Sequence, residues 1–169
     1  MALVVNGDGN ITGLTAGGLP DASITQSDLA ANIAGNGPAF SGTLSTNQTL
    51  SSTVYQKMAI NTMEFNTGSF FDTTNYRFLP TVAGYYQFNA AITVTAAQVM
   101  LMSFYKNGSS VKRTFYSYSS PVFVANGSAL IYLNGSTDYV ELIGRSETGG
   151  TSLAGSNETW FQGYLVKAA

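Results

Sequence analysis

The chain has 169 residues, of which 44% are hydrophobic, 12% aromatic and only 9% charged, and its formal net charge is -2. This length suits one well-buried domain with a few dozen residues to spare, and the scattered Lys and Arg residues exclude the basic patch that nucleic-acid binding requires. With no His and no Cys, the chain lacks the usual bases of serine and cysteine hydrolases and the usual ligands of zinc.

The first 37 residues predict an N-terminal arm. They are rich in Gly and contain no Phe or Tyr, so this segment cannot bury enough apolar surface to fold alone. One short helix is predicted over 26–34, because Thr25 suits the N-cap and Gly35 suits the C-terminal end. We expect the arm to order against another protein, with a disordered leader as the alternative. Its predicted anchoring side chains are all apolar: Leu3, Val4, Leu14, Leu19, Ile24, Leu29 and Ile33.

Two motifs in the arm fall short of a binding site. The glycines at 7, 9 and 13 have the wrong spacing for a dinucleotide loop, and no strand is predicted before them. Asp8 and Asn10 match part of a calcium loop, but the bidentate Glu is missing. We therefore predict neither a cofactor nor a metal ion. The chain has no apolar run of roughly 20 residues and no signal peptide, which predicts folding in a cytosol without a membrane partner.

From about residue 38 the pattern changes to closely spaced strands. Three Asn-Gly pairs, beginning at Asn107, Asn126 and Asn134, predict tight turns because Asn and Gly tolerate positive φ. Many short strands with such turns predict a β-sandwich or barrel. The predicted strands lie near 39–45, 52–60, 62–66, 75–79, 85–95, 99–106, 111–118, 121–125, 128–133, 138–144 and 159–166.

The clearest of these strands follows a turn at Pro80. Every second residue from Tyr86 to Val94 is apolar, which is typical of a half-buried antiparallel strand. Gly84 precedes it, and we predict that a side chain there would crowd the backbone.

The strand at 99–106 is apolar on both faces. A sandwich of one domain can bury only one face of such a strand in its core, so the other face needs a cover. We predict that neighbouring subunits supply this cover. The predicted subunit interface consists of apolar and aromatic residues from this strand and the last one: Met100, Met102, Phe104, Trp160 and Tyr164.

One enzymatic alternative remains open, since two carboxylates at a suitable separation can hydrolyse a glycosidic bond. Acids in a domain of this size are more often solubility groups, so we predict no catalytic residue and no enzyme. The acids available in the strand region are Glu64, Asp72, Asp138, Glu141, Glu147 and Glu158.

A cluster of aromatic residues provides a candidate ligand surface. Phe115, Tyr116 and Tyr118 could stack against a sugar, because Tyr combines an apolar face with a polar tip. Packing in the core or between subunits is the alternative interpretation.

Six positions have a recognisable spacing: Asn66, Phe71, Phe78, Gly84, Tyr86 and Phe88. With these positions in register, the segment 38–169 resembles the globular head of the complement C1q/tumour necrosis factor superfamily. The closing segment 161–165 also resembles the family's last strand, whereas Ile60 and Ala90 stand where the family usually has aromatic residues. The resemblance implies an all-β, ten-stranded antiparallel jelly roll that assembles as a homotrimer.

The leader over 11–30 resembles the leaders of tailed-bacteriophage structural proteins. We therefore expect two parts, an anchoring arm at 1–37 and a jelly-roll domain at 38–169. The expected function is that of a non-enzymatic virion protein, a trimeric capsid decoration or cement protein whose arm binds the major capsid protein or another virion protein. It would be assembled in the host cytoplasm and lie on the outer surface of the particle. The alternatives are a receptor-binding knob of a tail or head fibre that recognises a host surface glycan, and a bacterial C1q-like binding module.

Overall fold

The computed structural model describes residues 4–5, 11–12, 35–95, 99–118 and 122–169. The chain divides into two units, Met1–Ala30 and Ala31–Ala169. In the first unit, β1 (Val4–Val5) pairs antiparallel with β2 (Ile11–Thr12). The helix predicted over 26–34 lies outside the described residues, and the division predicted between 37 and 38 stays a prediction.

The second unit is built from strands, with one short 3-10 helix at Thr67–Ser69 among its described residues. In chain order its strands are β3 (Ala39–Thr43), β4 (Gln48–Leu50), β5 (Gln56–Lys57), β6 (Thr62–Asn66), β7 (Phe71–Asp72), β8 (Arg77–Phe78), β9 (Gly84–Thr95), β10 (Val99–Lys106), β11 (Ser109–Tyr118), β12 (Val122–Leu133), β13 (Val140–Ser146), β14 (Gly150–Ser152) and β15 (Trp160–Ala168).

These strands form two sheets. The six-stranded sheet has the order β11-β10-β13-β8-β7, and β5 also pairs with β13. The seven-stranded sheet has the order β4-β14-β9-β15-β3-β6, and β12 pairs with β9. This arrangement confirms the predicted all-β jelly-roll sandwich, and segments of two or three residues raise the strand count above the predicted ten.

The core between the sheets is mainly aromatic, because alternate residues of each long strand point inward. Phe40 and Phe78 stack with ring centroids 4.6 Å apart, and Phe40 meets Phe161 edge-on at 4.9 Å. Such pairs add about 0.5–1.5 kcal/mol each beyond their burial. The buried aromatic cluster consists of Phe40, Phe71, Phe78, Tyr86, Phe88, Phe104 and Phe161.

β9 confirms the predicted alternation. Tyr86, Phe88 and Val94 are buried in the core, whereas Tyr85 on the other face is 45% exposed. A Cβ on Gly84 would lie 2.4 Å from the carbonyl oxygen of Lys167. The predicted crowding at this position therefore comes from the backbone of β15.

Two of the three Asn-Gly pairs have opposite outcomes. Asn107 and Gly108 both have positive φ and form the predicted tight turn between β10 and β11. The turn predicted at Asn126 is wrong, because β12 runs unbroken through it and pairs with β9 along its whole length. A Cβ on Gly127 would lie 2.5 Å from the Cβ of Thr114, so this glycine permits a close approach to β11.

The strand predicted over 52–60 is also shorter than expected, since only Gln56–Lys57 forms a ladder with β13. On either side of this ladder the segment stays beside β13, since the backbone N–H of Thr53 donates to the carbonyl oxygen of Ser146 at 2.8 Å and that of Met58 to Leu142 at 2.9 Å. The rings of Tyr55 and Tyr105 have centroids 6.3 Å apart, and the guanidinium group of Arg145 lies 5.0 Å from the Tyr55 ring centroid. Arg145 Nε donates a hydrogen bond of 3.0 Å to the carbonyl oxygen of Thr53.

This arrangement corrects the predicted subunit interface. Met100, Met102 and Phe104 have no exposed surface and lie in the core. On the opposite face of β10, Leu101 is also buried in a single chain, with 3% of its surface exposed. Both faces are therefore covered within one chain, and the three core side chains have no surface to offer another subunit.

A network around Asp138 ties the turn after β10 to the loop before β13. Its carboxylate accepts hydrogen bonds from Asn107 Nδ2 at 2.7 Å and from the Asn134 backbone N–H at 2.9 Å, and it lies 2.7 Å from Lys106 Nζ. Burial by itself would raise the pKa of Asp138. The hydrogen bonds from Lys106, Asn107 and Asn134 outweigh burial and hold the pKa of this carboxyl below its ordinary value.

We expect Asp138→Asn to lower the free energy of unfolding by about 1–3 kcal/mol at neutral pH, since it breaks buried, charge-assisted hydrogen bonds. The folded pKa lies below the unfolded value of about 3.8, so this stabilisation is present above 3.8 and is lost as the pH falls through the folded pKa. Urea unfolding of the parent chain and of the Asp138→Asn variant, at pH values above and below 3.8, measures the effect. A difference between them that does not shrink in acid would contradict the assignment.

Candidate assembly and ligand surface

The candidate surface is the face of the seven-stranded sheet that points away from the core. Across β12, β9 and β15 the register aligns Leu130 with Gln87 and Gln87 with Tyr164. These side chains share the outward face, because alternate residues of these strands are buried. The outward face divides into an apolar end and a polar end.

The apolar end is formed by five side chains that are 41–50% exposed. Tyr85 and Tyr132 are cross-strand partners with ring centroids 5.4 Å apart. Leu130 and Tyr164 flank Gln87 in the neighbouring row. Contiguous apolar side chains on a surface mark an interaction site. We call these residues the apolar patch: Tyr85, Leu130, Tyr132, Tyr164 and Val166.

The polar end surrounds Trp160, which is half-buried at the start of β15. A concavity of about 480 Å³ opens beside it. Its polar groups come from β9, β12 and the loop before β15, and its remaining walls are the indole ring and small apolar residues. We call it the Trp160 concavity, lined by Asn89, Ala90, Ala91, Val124, Asn126, Gly127, Ser128, Asn157 and Trp160.

A smaller concavity of about 170 Å³ lies on the other side of the same tryptophan, also lined by Ser156 and Gln162. At its edge, Ser41 Oγ donates a hydrogen bond of 2.7 Å to Glu64 Oε2. Trp160 therefore separates a neutral concavity from one that contains a carboxylate.

The structure separates the predicted interface residues into two groups. Trp160 and Tyr164 lie on the outward face of β15, whereas the three residues from β10 lie in the core. Sequence reasoning missed Tyr85, Leu130 and Tyr132. The alternation of β9 already put Tyr85 on the outward face. The turn predicted at Asn126 divided β12 into two short strands, so Leu130 and Tyr132 were not placed beside β9.

The candidate ligand surface on β11 does not form as predicted. Phe115 and Tyr116 are neighbours in a strand, so their side chains point to opposite faces. Phe115 packs against the core, and Tyr116 is 52% exposed. The side chain of Tyr118 lies outside the described residues.

The predicted anchoring residues of the arm are not tested. Leu3, Leu14, Leu19, Ile24, Leu29 and Ile33 lie outside the described residues, as does the side chain of Val4, which belongs to β1.

Four of the six acids considered for glycosidic hydrolysis form ion pairs, each with a different basic residue. Lys57 pairs with Glu141, Lys106 with Asp138, Arg145 with Glu147 and Arg77 with Asp72. Across residues 35–95, 99–118 and 122–169, no group of three or more acidic side chains could hold a metal ion. Within the same ranges, no helix is long and apolar enough to cross a membrane.

Comparison with known proteins gives a consistent picture of the fold. The family model described as "C1q domain" matches residues 39–166. The globular domain of zebrafish complement 1qA protein is similar, with 16% identity and a TM-score of 0.58, over 78% of this chain and 98% of that one. No curated protein sequence matches the chain significantly.

Two further solved structures are similar at lower identity. The Eiger TNF of S. frugiperda has 12% identity and a TM-score of 0.52, over 78% of this chain and 92% of that one. Murine APRIL has 9% identity and a TM-score of 0.59, over 76% of this chain and 98% of that one. At these identities the likeness concerns the fold alone.

Proposed function

The chain belongs to the C1q domain family, whose domains typically form homotrimers and act as non-enzymatic binding modules, and on this premise we propose that it is a homotrimeric structural protein of a virion. In this proposal the trimer decorates or cements a bacteriophage capsid. The N-terminal arm binds the major capsid protein or another virion protein, and the jelly roll lies on the outer surface of the particle.

The observation that carries the assembly is the apolar patch. Its five residues expose 41–50% of their surface in a single chain, and Tyr is among the residues most enriched in the buried centres of interfaces. A second and third copy are the occupants that the typical homotrimer of the family provides. The patch therefore replaces the core residues of β10 as the predicted centre of the interface.

The virion role is supported by the arm and by its resemblance to phage leaders. Three arms on one trimer would bind in parallel, so a weak contact by each arm becomes strong through effective concentration. Fully extended, the 37 residues of the predicted arm reach at most roughly 130 Å, which suits a segment that drapes over a shell.

Two measurements test the proposal. Sedimentation of the purified chain should give the mass of three copies at micromolar concentration, and a stable soluble monomer would contradict the assembly. Imaging of the particle that carries this protein should then show tens of trimers over the capsid. A few copies at one vertex would instead favour the receptor-binding knob of a tail or head fibre.

The receptor-binding alternative has an observation of its own. The Trp160 concavity combines an indole ring with several side-chain amides, which are groups that recognise sugars. A trimer that carries this concavity could bind a host surface glycan whether it decorates a capsid or ends a fibre.

A further inference from the structure

We propose that the outward face of the six-stranded sheet binds an acidic pyranose, that is, a pyranose sugar that carries a carboxylate. The contact groups are the rings of Tyr55 and Tyr105 and the guanidinium group of Arg113, which we call the tyrosine site. The inference goes beyond the proposed assembly and does not depend on the trimer contact, because the apolar patch lies on the other sheet.

The strand register brings the three groups to one face. Phe104 of β10 points into the core, so its neighbours Ser103 and Tyr105 point outward. Arg113 on β11 is the cross-strand partner of Ser103 and therefore shares the outward face. Tyr55 directly precedes β5, and its ring centroid lies 6.3 Å from that of Tyr105. Three strands that are separate in the chain thus contribute to one surface.

The Tyr55 ring is held in place and still presents surface to a ligand. Its residue is 44% exposed, and the guanidinium group of Arg145 lies 5.0 Å from the ring centroid. Arg145 is fixed in turn by hydrogen bonds of 3.0 Å that it donates to the carbonyl oxygen of Thr53 and to the carboxylate of Glu147. A tyrosine ring offers a flat apolar face to the C–H groups on one side of a pyranose. Because the ring is already positioned, little ordering is needed when the sugar binds.

The hydroxyl groups of both tyrosines are available to a ligand. Across the ranges that the structure describes, neither phenol oxygen makes a hydrogen bond. Burial raises the pKa of Tyr105, the neighbouring Tyr55 raises it further, and the positive charge of Arg113 acts in the opposite direction. The three groups therefore lie close enough to interact. A phenol hydroxyl both donates and accepts hydrogen bonds, as the hydroxyl groups of a sugar require.

The charge of this sheet selects an acidic ligand. Six of the seven basic residues of the chain lie on its strands, and four of the six form ion pairs. The two that form no ion pair with any described residue are neighbours on β11, Lys112 and Arg113, and both are exposed. Two carboxylates lie near the site, those of Glu141 and Glu147, and each is paired with a basic residue. A carboxylate at the tyrosine site would therefore meet a guanidinium group without a counterion, whose planar fork matches it.

Matched sugars test the class of ligand. Isothermal titration calorimetry of the purified chain should compare methyl β-glucuronide with methyl β-glucoside and methyl β-galacturonide with methyl β-galactoside, because the members of each pair differ only in the carboxylate. Sodium acetate supplies the carboxylate without the ring. We expect saturable binding of at least one acidic sugar, roughly tenfold tighter than that of its neutral counterpart, and no binding of acetate at the same concentrations.

Variants then locate the binding. Arg113→Gln should weaken the binding of the responding acidic sugar by roughly tenfold and leave that of the neutral sugar unchanged. Lys112→Gln is the matched control, because it removes the same charge from the adjacent residue. The cross-strand partner of Lys112 is Phe104, which points into the core, so the two basic side chains leave β11 on opposite faces. Tyr55→Ala should weaken the binding of both sugars while the far-UV spectrum stays that of the parent chain.

Three outcomes would overturn the site. One is the absence of binding by both acidic sugars, and another is equal affinity for the acidic and neutral members of each pair. The last is an equal loss in Arg113→Gln and Lys112→Gln, which would mean attraction by net charge alone. Sedimentation of the same samples gives the oligomeric state. A monomer that binds the acidic sugar would keep the site and overturn only the proposed assembly, and a trimer that binds neither sugar would do the reverse.

Discussion

Leu130→Glu is expected to convert the trimer into monomers. Leu130 lies within the apolar patch, beside Gln87 and next to the Tyr85–Tyr132 pair. A glutamate there would bring a charge into each of three contacts, and the five residues of the patch are all uncharged. Loss of such a contact and burial of an unpaired charge should raise the dissociation constant by roughly a hundredfold or more. Sedimentation across a range of protein concentrations measures it.

The matched control lies on the other sheet. Val111 on β11 is 42% exposed, close to the 49% of Leu130, so Val111→Glu adds the same charge at a similar exposure. It should leave the trimer intact. Equal dissociation of the two variants would mean that net charge, and not the patch, controls assembly. A Leu130→Glu protein that stays trimeric would rule out the apolar patch as the interface.

Phe88→Ala is expected to remove much of the stability of the domain. The Phe88 ring has no exposed surface, and its centroid lies 5.8 Å from that of Phe161 and 6.0 Å from that of Phe104. Truncation would leave a cavity among aromatic rings from both sheets, which costs about 3–5 kcal/mol. Domains are stable by only about 5–15 kcal/mol in total. Urea unfolding at a fixed protein concentration measures the loss, because assembly adds to the apparent stability.

Phe88→Leu provides the control for this cavity. Leu keeps most of the volume and the apolar character of the side chain, so the loss should stay below about 1.5 kcal/mol. A Cβ on Gly163 would lie 2.6 Å from Phe88 Cδ1, which shows how closely β15 packs against this ring. If the Ala and Leu variants lose the same free energy, the shape of this ring matters less than the structure indicates.

The strands that sequence reasoning located best have either alternating side chains, as in β6 and β9, or a continuous apolar run, as in β10. β6 and β10 have the predicted bounds, and β9 differs by one residue at its start. Binary alternation is a local property, so it needs no knowledge of partners. The Asn107-Gly108 turn was predictable for the same reason, because both residues tolerate the positive φ that a tight hairpin needs.

The strand predictions failed where the pairing of a segment with a neighbouring strand decides its structure. Asn126-Gly127 has the same turn chemistry, yet it is extended in the structure. The reason is that β9 and β12, with twelve residues each, pair along their whole length. Segment 52–60 has strand-like composition, but only Gln56–Lys57 finds a ladder on β13. Local preference amounts to about 1 kcal/mol, and pairing over a full strand outweighs it.

The chain by itself therefore determined the fold class, the inward face of β9 and the lack of His and Cys side chains, since these follow from residue types and their period. Only the tertiary structure decided which apolar residues lie at the surface of the domain. A strand with two apolar faces has the same sequence whether its second face is buried by another subunit or by side chains of its own chain, as it is for Leu101. The contact between Arg145 and Tyr55 joins residues far apart in the chain, and no local pattern reports such a pair.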